Sequence, residues 1–277
     1  MSDTPSKKKV LVTGVSGVIG KGMVAHLGDR YELSGIDVTP NDLVPTTVAD
    51  VGDLAAIRPA FDGMAAVVHL ASLPSVQTPW DQIRDVNIQG TYNPFEAARQ
   101  AGVPAVVFAS SNHTIGGYEE DGLPGIYALD DPRVYDHTVE LRPDSLYGVA
   151  KVFGEALGRH YVDAYGLRAY NLRIGSVFAH DDPRDPSIAQ GSFWLDLTPE
   201  QKFDRIRATW LSQRDCAELI AACVEADHVP WAVVYATSDN LRQMWDLGHA
   251  KDLLGWVPVD RAPVGQSDAA PVGPREG

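Results

Sequence analysis

The chain has 277 residues, 44 % of them apolar, enough for one large domain with a full core. A net charge of −14 and a pI near 4.9 argue against a phosphate-backbone binder, which needs Lys and Arg. No apolar run is long enough to span a membrane, and the start MSDTPSKKK leads into no signal-type apolar stretch. The expectation is a soluble cytoplasmic protein with an acidic, solubilising surface.

In chain order, the apolar run Lys9–Thr13 predicts a strand that enters TGVSGVIGKG directly. Gly14, Gly17 and Gly20 recur every three residues. Such a turn, with Ser16, Val18 and Ile19 in it, brings main-chain N–H groups against a pyrophosphate at the start of a helix over Val18–Leu27. A strand over Tyr31–Ile36 then leads to Asp37, at the distance where an acidic side chain meets the adenosine ribose. A carboxylate there accepts from both ribose hydroxyls and repels a 2′-phosphate. No Arg or Lys follows Asp37 directly, so NAD is expected over NADP.

Helices over Leu54–Phe61, Asp81–Ala101 and Ser145–Ala164 alternate with strands over Ala65–Leu70, Ala105–Ser110 and Arg168–Arg173. That alternation predicts an α/β fold, a doubly wound parallel sheet covered on both faces. One strand ends oddly: Ser110, Ser111, Asn112 and His113 follow in a row, then Gly116 and Gly117. A doubly wound sheet takes its ligands at the carboxyl ends of its strands, so these side chains are placed for a ligand.

The stretch SLYGVAKVFGE sets Tyr147 and Lys151 four apart, on one face of a helix. A nearby ammonium favours phenolate, so the expectation is a Tyr pKa drawn down from about 10. Such a Tyr can take a proton from a carbinol while hydride leaves for a nicotinamide.

The last third is less regular. Val177–Arg205 is polar and Pro-bearing; a helix over Arg214–Ala226, a strand over Trp231–Ala236 and a short helix over Leu247–Leu254 follow. The expected organisation is a Rossmann core over 8–175, small substrate-cap elements interleaved with it over 176–262, and a loosely attached tail over 263–277. Cys216 and Cys223, two helical turns apart, are too distant to bridge and read as buried small residues. His69 reads as a hydrogen-bonded core histidine, and no ligand spacing suggests a metal.

Taken in order, TGxxGxxG, Asp37, the VAD ending at Asp50, VVHLAS, DVNIQGT, FASSNH and YxxxK resemble the extended short-chain dehydrogenase/reductase family, the NAD-dependent epimerases and dehydratases. The resemblance runs from about Lys8 to about Ala262. It implies a Rossmann fold holding NAD, with Asp50 and Val51 at the adenine and Leu70, Ala71 and Ser72 along the cofactor. Asn87 would support an active-site hydrogen-bond chain, and Lys151 would also hold the nicotinamide ribose. Ser111 matches the family's catalytic Ser or Thr beside Tyr147.

The SNH triplet, RIGSV (Arg173 to Val177), TWLSQRDC and VVYATSDN are similar to the branch of uronate dehydrogenases and NAD-dependent glucose-6-phosphate dehydrogenases. That similarity implies oxidation of an aldose at C1 to its lactone. Ser72, Asn112 and His113 would hold ring and hydroxyl oxygens, and Ser176 would face the substrate. Arg205 would select an anionic C6 group, a hexuronate first and a hexose 6-phosphate second. The segment between Ser176 and Arg205 is longer than expected for uronate dehydrogenases, so Arg207 and Lys202 are alternatives to Arg205. A nucleotide-sugar epimerase or dehydratase is a second reading, disfavoured by the short acidic C-terminal part. A non-catalytic NAD sensor is a third, disfavoured by the complete Ser111–Tyr147–Lys151 set. Relatives often dimerise through helices matching Asp81–Ala101 and Ser145–Ala164, so a homodimer is expected.

Overall fold

A computed structural model describes residues 6–185, 187–188 and 195–263. Of the tail expected over 263–277, residues from 264 onward lie outside the described residues, as does part of the loop expected between 177 and 204. The strands are β1 Lys9–Thr13, β2 Glu32–Asp37, β3 Thr46–Val48, β4 Ala66–His69, β5 Ala105–Ser111, β6 Arg168–Ile174 and β7 Trp231–Ala236. The helices are α1 Val18–Leu27, α2 Leu54–Ile57, α3 Trp80–Gln82, α4 Gly90–Ala101, α5 Gly116–Gly122, α6 Leu146–Tyr165, α7 Pro199–Thr209, α8 Gln213–Glu225 and α9 Gly248–Leu254.

Among the described residues the strands form one parallel sheet in the order β3-β2-β1-β4-β5-β6-β7. Strand alternation divides the core. Val10 and Val12 join the layer that includes Leu219 and Ile220 of α8, while Leu11 joins the opposite layer with Phe95, Phe108 and Tyr161. Because both faces are covered, β1 reads as a nearly unbroken apolar run. From β1 the chain passes first to β2 on one side, and β4 then adds on the other. The crossovers diverge there and leave a crevice at the carboxyl edge.

Helix α6 lies against β5 and β6, and two features fix its height above the sheet. Ser145 caps it, its hydroxyl accepting from Gly148 N–H at 3.0 Å. Gly154 lets it approach closely, since a Cβ there would lie 2.2 Å from the Phe108 ring. Further along the face that carries Tyr147 and Lys151, Glu155 accepts the Ser110 hydroxyl at 2.6 Å and two Arg173 N–H donors at 2.9 Å each. Arg173 reaches on to the Tyr235 hydroxyl at 3.0 Å. Ser110, the first of the four polar residues ending β5, thus belongs to a buried network tying α6 to β5, β6 and β7.

Within 176–262, two elements are part of the sheet layer itself. β7 pairs with β6, and α8 packs against α1. Cys216 and Cys223 sit buried and free in α8, and burial pushes the Cys216 thiol up to about 12. Three elements were not expected. β3 is too short and polar to stand out, and α5 opens with two glycines. α7 is announced by TPEQ: Thr198 and Gln201 form a reciprocal cap with Pro199 in the first turn. The expected helix over Leu54–Phe61 tightens into a 3₁₀ turn from Arg58, and Asp81–Ala101 contains a π-helical stretch over Ile83–Gln89.

Candidate active site

The first half of the site is built from main chain. Gly14 follows β1 at φ +74°, and a Cβ there would lie 2.7 Å from Ala71 N. Only glycine suits both constraints. The turn passes Ser16 and Gly17 into α1, whose first turn has no acidic residue and whose start has no side-chain cap. Its N–H groups are therefore donors for an anion. Asp37 is braced at the end of β2, accepting from Ser16 N–H at 2.9 Å and from Thr39 N–H at 3.0 Å.

A cavity of about 720 Å³ opens here, lined by Gly14, Ser16, Gly17, Asp37, Asp50, Val51, Leu70, Ala71 and Ser72. A second, of about 450 Å³, shares Gly14, Gly17, Leu70 and Ser72 and adds Val18, Ile19, Gly20, Ser111, Tyr147 and Lys151. The shared walls make one groove running from Asp37 to Tyr147. Ser72 Oγ is buried along it without a hydrogen-bond partner, which suits a ligand's polar atom. The glycine turn, the open helix start, the acidic end of β2 and this orphaned hydroxyl all fit a dinucleotide. Lys21, Asn41, Leu73 and Val86 also line the groove. Lys21 directly follows Gly20 and could have been found; Val86 gives no sequence signal.

Asn87 lies off the groove. It is buried, and its amide grips Leu73 both ways, accepting from N–H at 3.0 Å and donating to C=O at 3.1 Å. Its contribution here is to hold the turn that carries Ser72.

At the other end, α6 presents Tyr147 and Lys151 beside Ser111. Burial pushes the Tyr147 phenol up to about 12; a hydrogen bond with Ser111 opposes this and the charge of Asp144 adds to it. The expected depression of the phenol is thus reversed in the protein alone, because desolvation dominates. Burial also lowers Lys151 to about 7. Its Nζ lies 5.4 Å from the Tyr147 ring centroid and 5.0 Å from that of Phe108. Behind it, His69 Nδ1 is 2.7 Å from the Thr13 hydroxyl and its Nε2 3.4 Å from that of Thr91. Burial and then the Lys151 charge lower His69 to about 3, so it stays neutral.

The substrate-side residues are more dispersed. His113 meets Tyr147 edge to face, ring centroids 5.6 Å apart. Asn112 is buried, accepts from the Ser111 hydroxyl at 3.3 Å and lines a separate small cavity with Glu119 and Trp245. The Ser176 and Thr209 hydroxyls are 2.9 Å apart. Arg205 is buried on α7 and donates through Nε to Glu119 at 2.6 Å; Glu119 also accepts the Tyr127 hydroxyl at 2.6 Å. Arg207, about 200° further round the helix, pairs with Asp204 and lines another cavity with Phe203. Lys202 shares the Arg205 side of α7. Glu119 and Asp144, both close to this end, carried no sequence signal. Among the described residues no group of His, Cys, Asp or Glu is placed to hold a metal, and no helix is long and apolar enough to cross a membrane.

A doubly wound sheet with this glycine turn and a Ser–Tyr–Lys set at its carboxyl edge defines a dinucleotide-dependent oxidoreductase. Residues 10–193 match the NAD dependent epimerase/dehydratase family, and the chain belongs to it. It is 38 % identical to the NAD-dependent glucose-6-phosphate dehydrogenase of Haloferax volcanii, over 91 % of this chain and 94 % of that protein. The L-arabinose 1-dehydrogenase (NAD(P)(+)) of the same organism is 35 % identical, over 92 % of this chain and 97 % of that one. Among solved structures, a mutant uronate dehydrogenase from Agrobacterium tumefaciens complexed with NAD superposes with a TM-score of 0.74. It is 34 % identical and matches 93 % of this chain and 86 % of its own.

Proposed function

We propose that this protein oxidises an aldose at the anomeric carbon to the lactone, with NAD as acceptor. The observation that carries the reading is the Ser111–Tyr147–Lys151 set at the end of the groove, beside His113 and the orphaned Ser72 hydroxyl. The chemistry supplied by NAD is acceptance of the C1 hydride at its nicotinamide ring. Ser111 holds the C1 oxygen, and Tyr147 takes the hydroxyl proton as the C1–O bond becomes a carbonyl. With its phenol near 12, Tyr147 serves as a base only when a positive charge stands close, and the Lys151 ammonium is the charge this chain provides.

For the sugar, we favour an anionic C6 group, a hexuronate or a hexose 6-phosphate, in keeping with the glucose-6-phosphate and uronate dehydrogenases among the relatives. Arg205 would receive that group, sharing its guanidinium with Glu119. One observation favours a second reading. The Glu119 carboxylate already balances Arg205, which suits a neutral aldose such as the one named for the arabinose-oxidising relative. NADH formation with glucuronate, galacturonate, glucose 6-phosphate, glucose and L-arabinose decides between them. The anionic sugars are expected to give the higher kcat/KM. Preference for a neutral sugar would transfer the case to the second reading, and no NADH with any aldose would sink both.

A further inference from the structure

His69 ends β4 beneath the groove, 1 % exposed, and takes no part in the reaction above. Each ring nitrogen faces a buried hydroxyl, Nδ1 that of Thr13 at 2.7 Å and Nε2 that of Thr91 at 3.4 Å. Both hydroxyls carry a contact onward. Thr91 donates to Asn87 C=O at 2.6 Å, and the Asn87 amide in turn holds both main-chain groups of Leu73. Thr13 accepts from Ala71 N–H at 3.3 Å. The two paths that leave the imidazole therefore arrive on either side of Ser72, whose buried hydroxyl has no partner and which lines both cavities of the groove.

The hydroxyl hydrogens set the direction of each contact. Thr91 gives its single hydroxyl hydrogen to Asn87, so toward His69 it can only accept, and Nε2 must carry the ring proton. Nδ1 is then a lone pair that accepts the Thr13 hydroxyl, whose oxygen stays open to Ala71 N–H. Burial keeps the ring neutral, so this arrangement holds across the working pH range.

We propose that His69 is a positioning residue: as the Nε2–H tautomer it ties the end of β1 to the start of α4 through Thr13 and Thr91, and so fixes the Ala71–Leu73 turn against the dinucleotide. A dinucleotide laid from Asp37 to Tyr147 passes this turn, because Leu70, Ala71, Ser72 and Leu73 all line the first cavity. That hold on NAD is independent of which sugar is oxidised.

Calorimetric titration of the whole protein with NAD separates this role from plain core packing. Thr91→Val keeps the shape and loses the hydroxyl, so the Kd for NAD should rise about fivefold. Thr91→Ser keeps the hydroxyl but drops a methyl group. It should bind NAD as the wild type does, although its denaturant midpoint falls. A purely structural role predicts instead that affinity follows the unfolding midpoint in both variants. His69→Phe removes both ring contacts and should weaken NAD binding at least as much. Adding Thr91→Val to it should cost little more, because the two act along one path.

Long-range proton–nitrogen NMR on histidine-labelled protein reads the ring itself. Wild-type His69 should carry a single proton, on Nε2, down to about pH 5. A proton on Nδ1 instead, an unchanged Kd in Thr91→Val, or losses from His69→Phe and Thr91→Val that add in full would each overturn the proposal. Should His69→Phe fail to fold, the two Thr91 variants and the spectra decide.

Discussion

The two ends of the groove are made differently. The end near Asp37 is made largely of backbone: a left-handed glycine, uncapped N–H groups at a helix start and a carboxylate braced by two main-chain donors. The end near Tyr147 is lined by side chains drawn from separate segments, Ser72, Ser111, Tyr147 and Lys151, and the polar groups around it are paired, as His113 with Asp144. Backbone sites recognise what all dinucleotides share, and their demands fall on a few adjacent residues. Side-chain pairs set which partner fits, and each change of partner re-sorts charge and tautomer nearby.

The sharpest way to separate the two ends is to disable one and read the other. Tyr147→Phe removes the base and leaves the Asp37 end intact, so kcat should fall about a thousandfold while calorimetry shows an unchanged affinity for NAD. Weaker NAD binding of similar size would mean that the ends are not separable. Glu155→Gln attacks what lies beneath the Tyr147 end. It strands the Arg173 guanidinium in the buried network and should cost about 3–5 kcal/mol in denaturant unfolding; a loss under about 1 kcal/mol would show that the pair is not needed.

The next effect is on stability against pH. His69 has a folded pKa of about 3, below its ordinary value of 6.5, so the unfolded chain takes up the proton first. Its contribution is complete above pH 6.5 and is lost as pH falls, by about 3 kcal/mol at pH 4. Lys151, lowered to about 7, acts in a separate window, where stability grows as pH rises from 7 toward its ordinary value. His69→Gln should flatten the acid decline relative to wild type, and parallel curves would refute the assignment. The smallest effect is expected at Asp37. Asp37→Ala should weaken NAD about tenfold and raise the NADP-to-NAD ratio of kcat/KM; an unchanged ratio would show that the carboxylate does not discriminate.

The same contrast explains what the sequence made legible. Gly14, Asp37, Tyr147 and Lys151 announce themselves through spacing, because a turn and a single helix face are local objects, whereas Ser111 is singled out by its resemblance to the family pattern. The strand alternation is local too, and six of the seven strands sit within a residue or so of their expected ends. Asp144 and Glu119 are ordinary acidic residues until folding places His113 and Arg205 against them. The raised Tyr147 pKa was likewise invisible, since spacing reveals the ammonium four residues away but not the depth at which both groups are buried. α7 was missed for a lesser reason: its capping signal was present in TPEQ but lay inside a segment too polar to suggest a packed helix.

The π-helical stretch over Ile83–Gln89 carries a last consequence. It holds one residue more than ordinary helical winding needs, and both its ends are committed. Ile83 packs with Tyr147 and Ala150, while Asn87 clasps the turn bearing Ser72. Deleting a single residue there would let the helix rewind into a regular α-helix without breaking it and with the two ends left nearly in register, because the tighter α winding makes up for the step removed. For protein engineering this makes the stretch a tolerant point: one residue can be removed here while the contacts toward Tyr147 and toward the turn bearing Ser72 keep their facing, whereas the same deletion elsewhere in the helix would rotate one against the other.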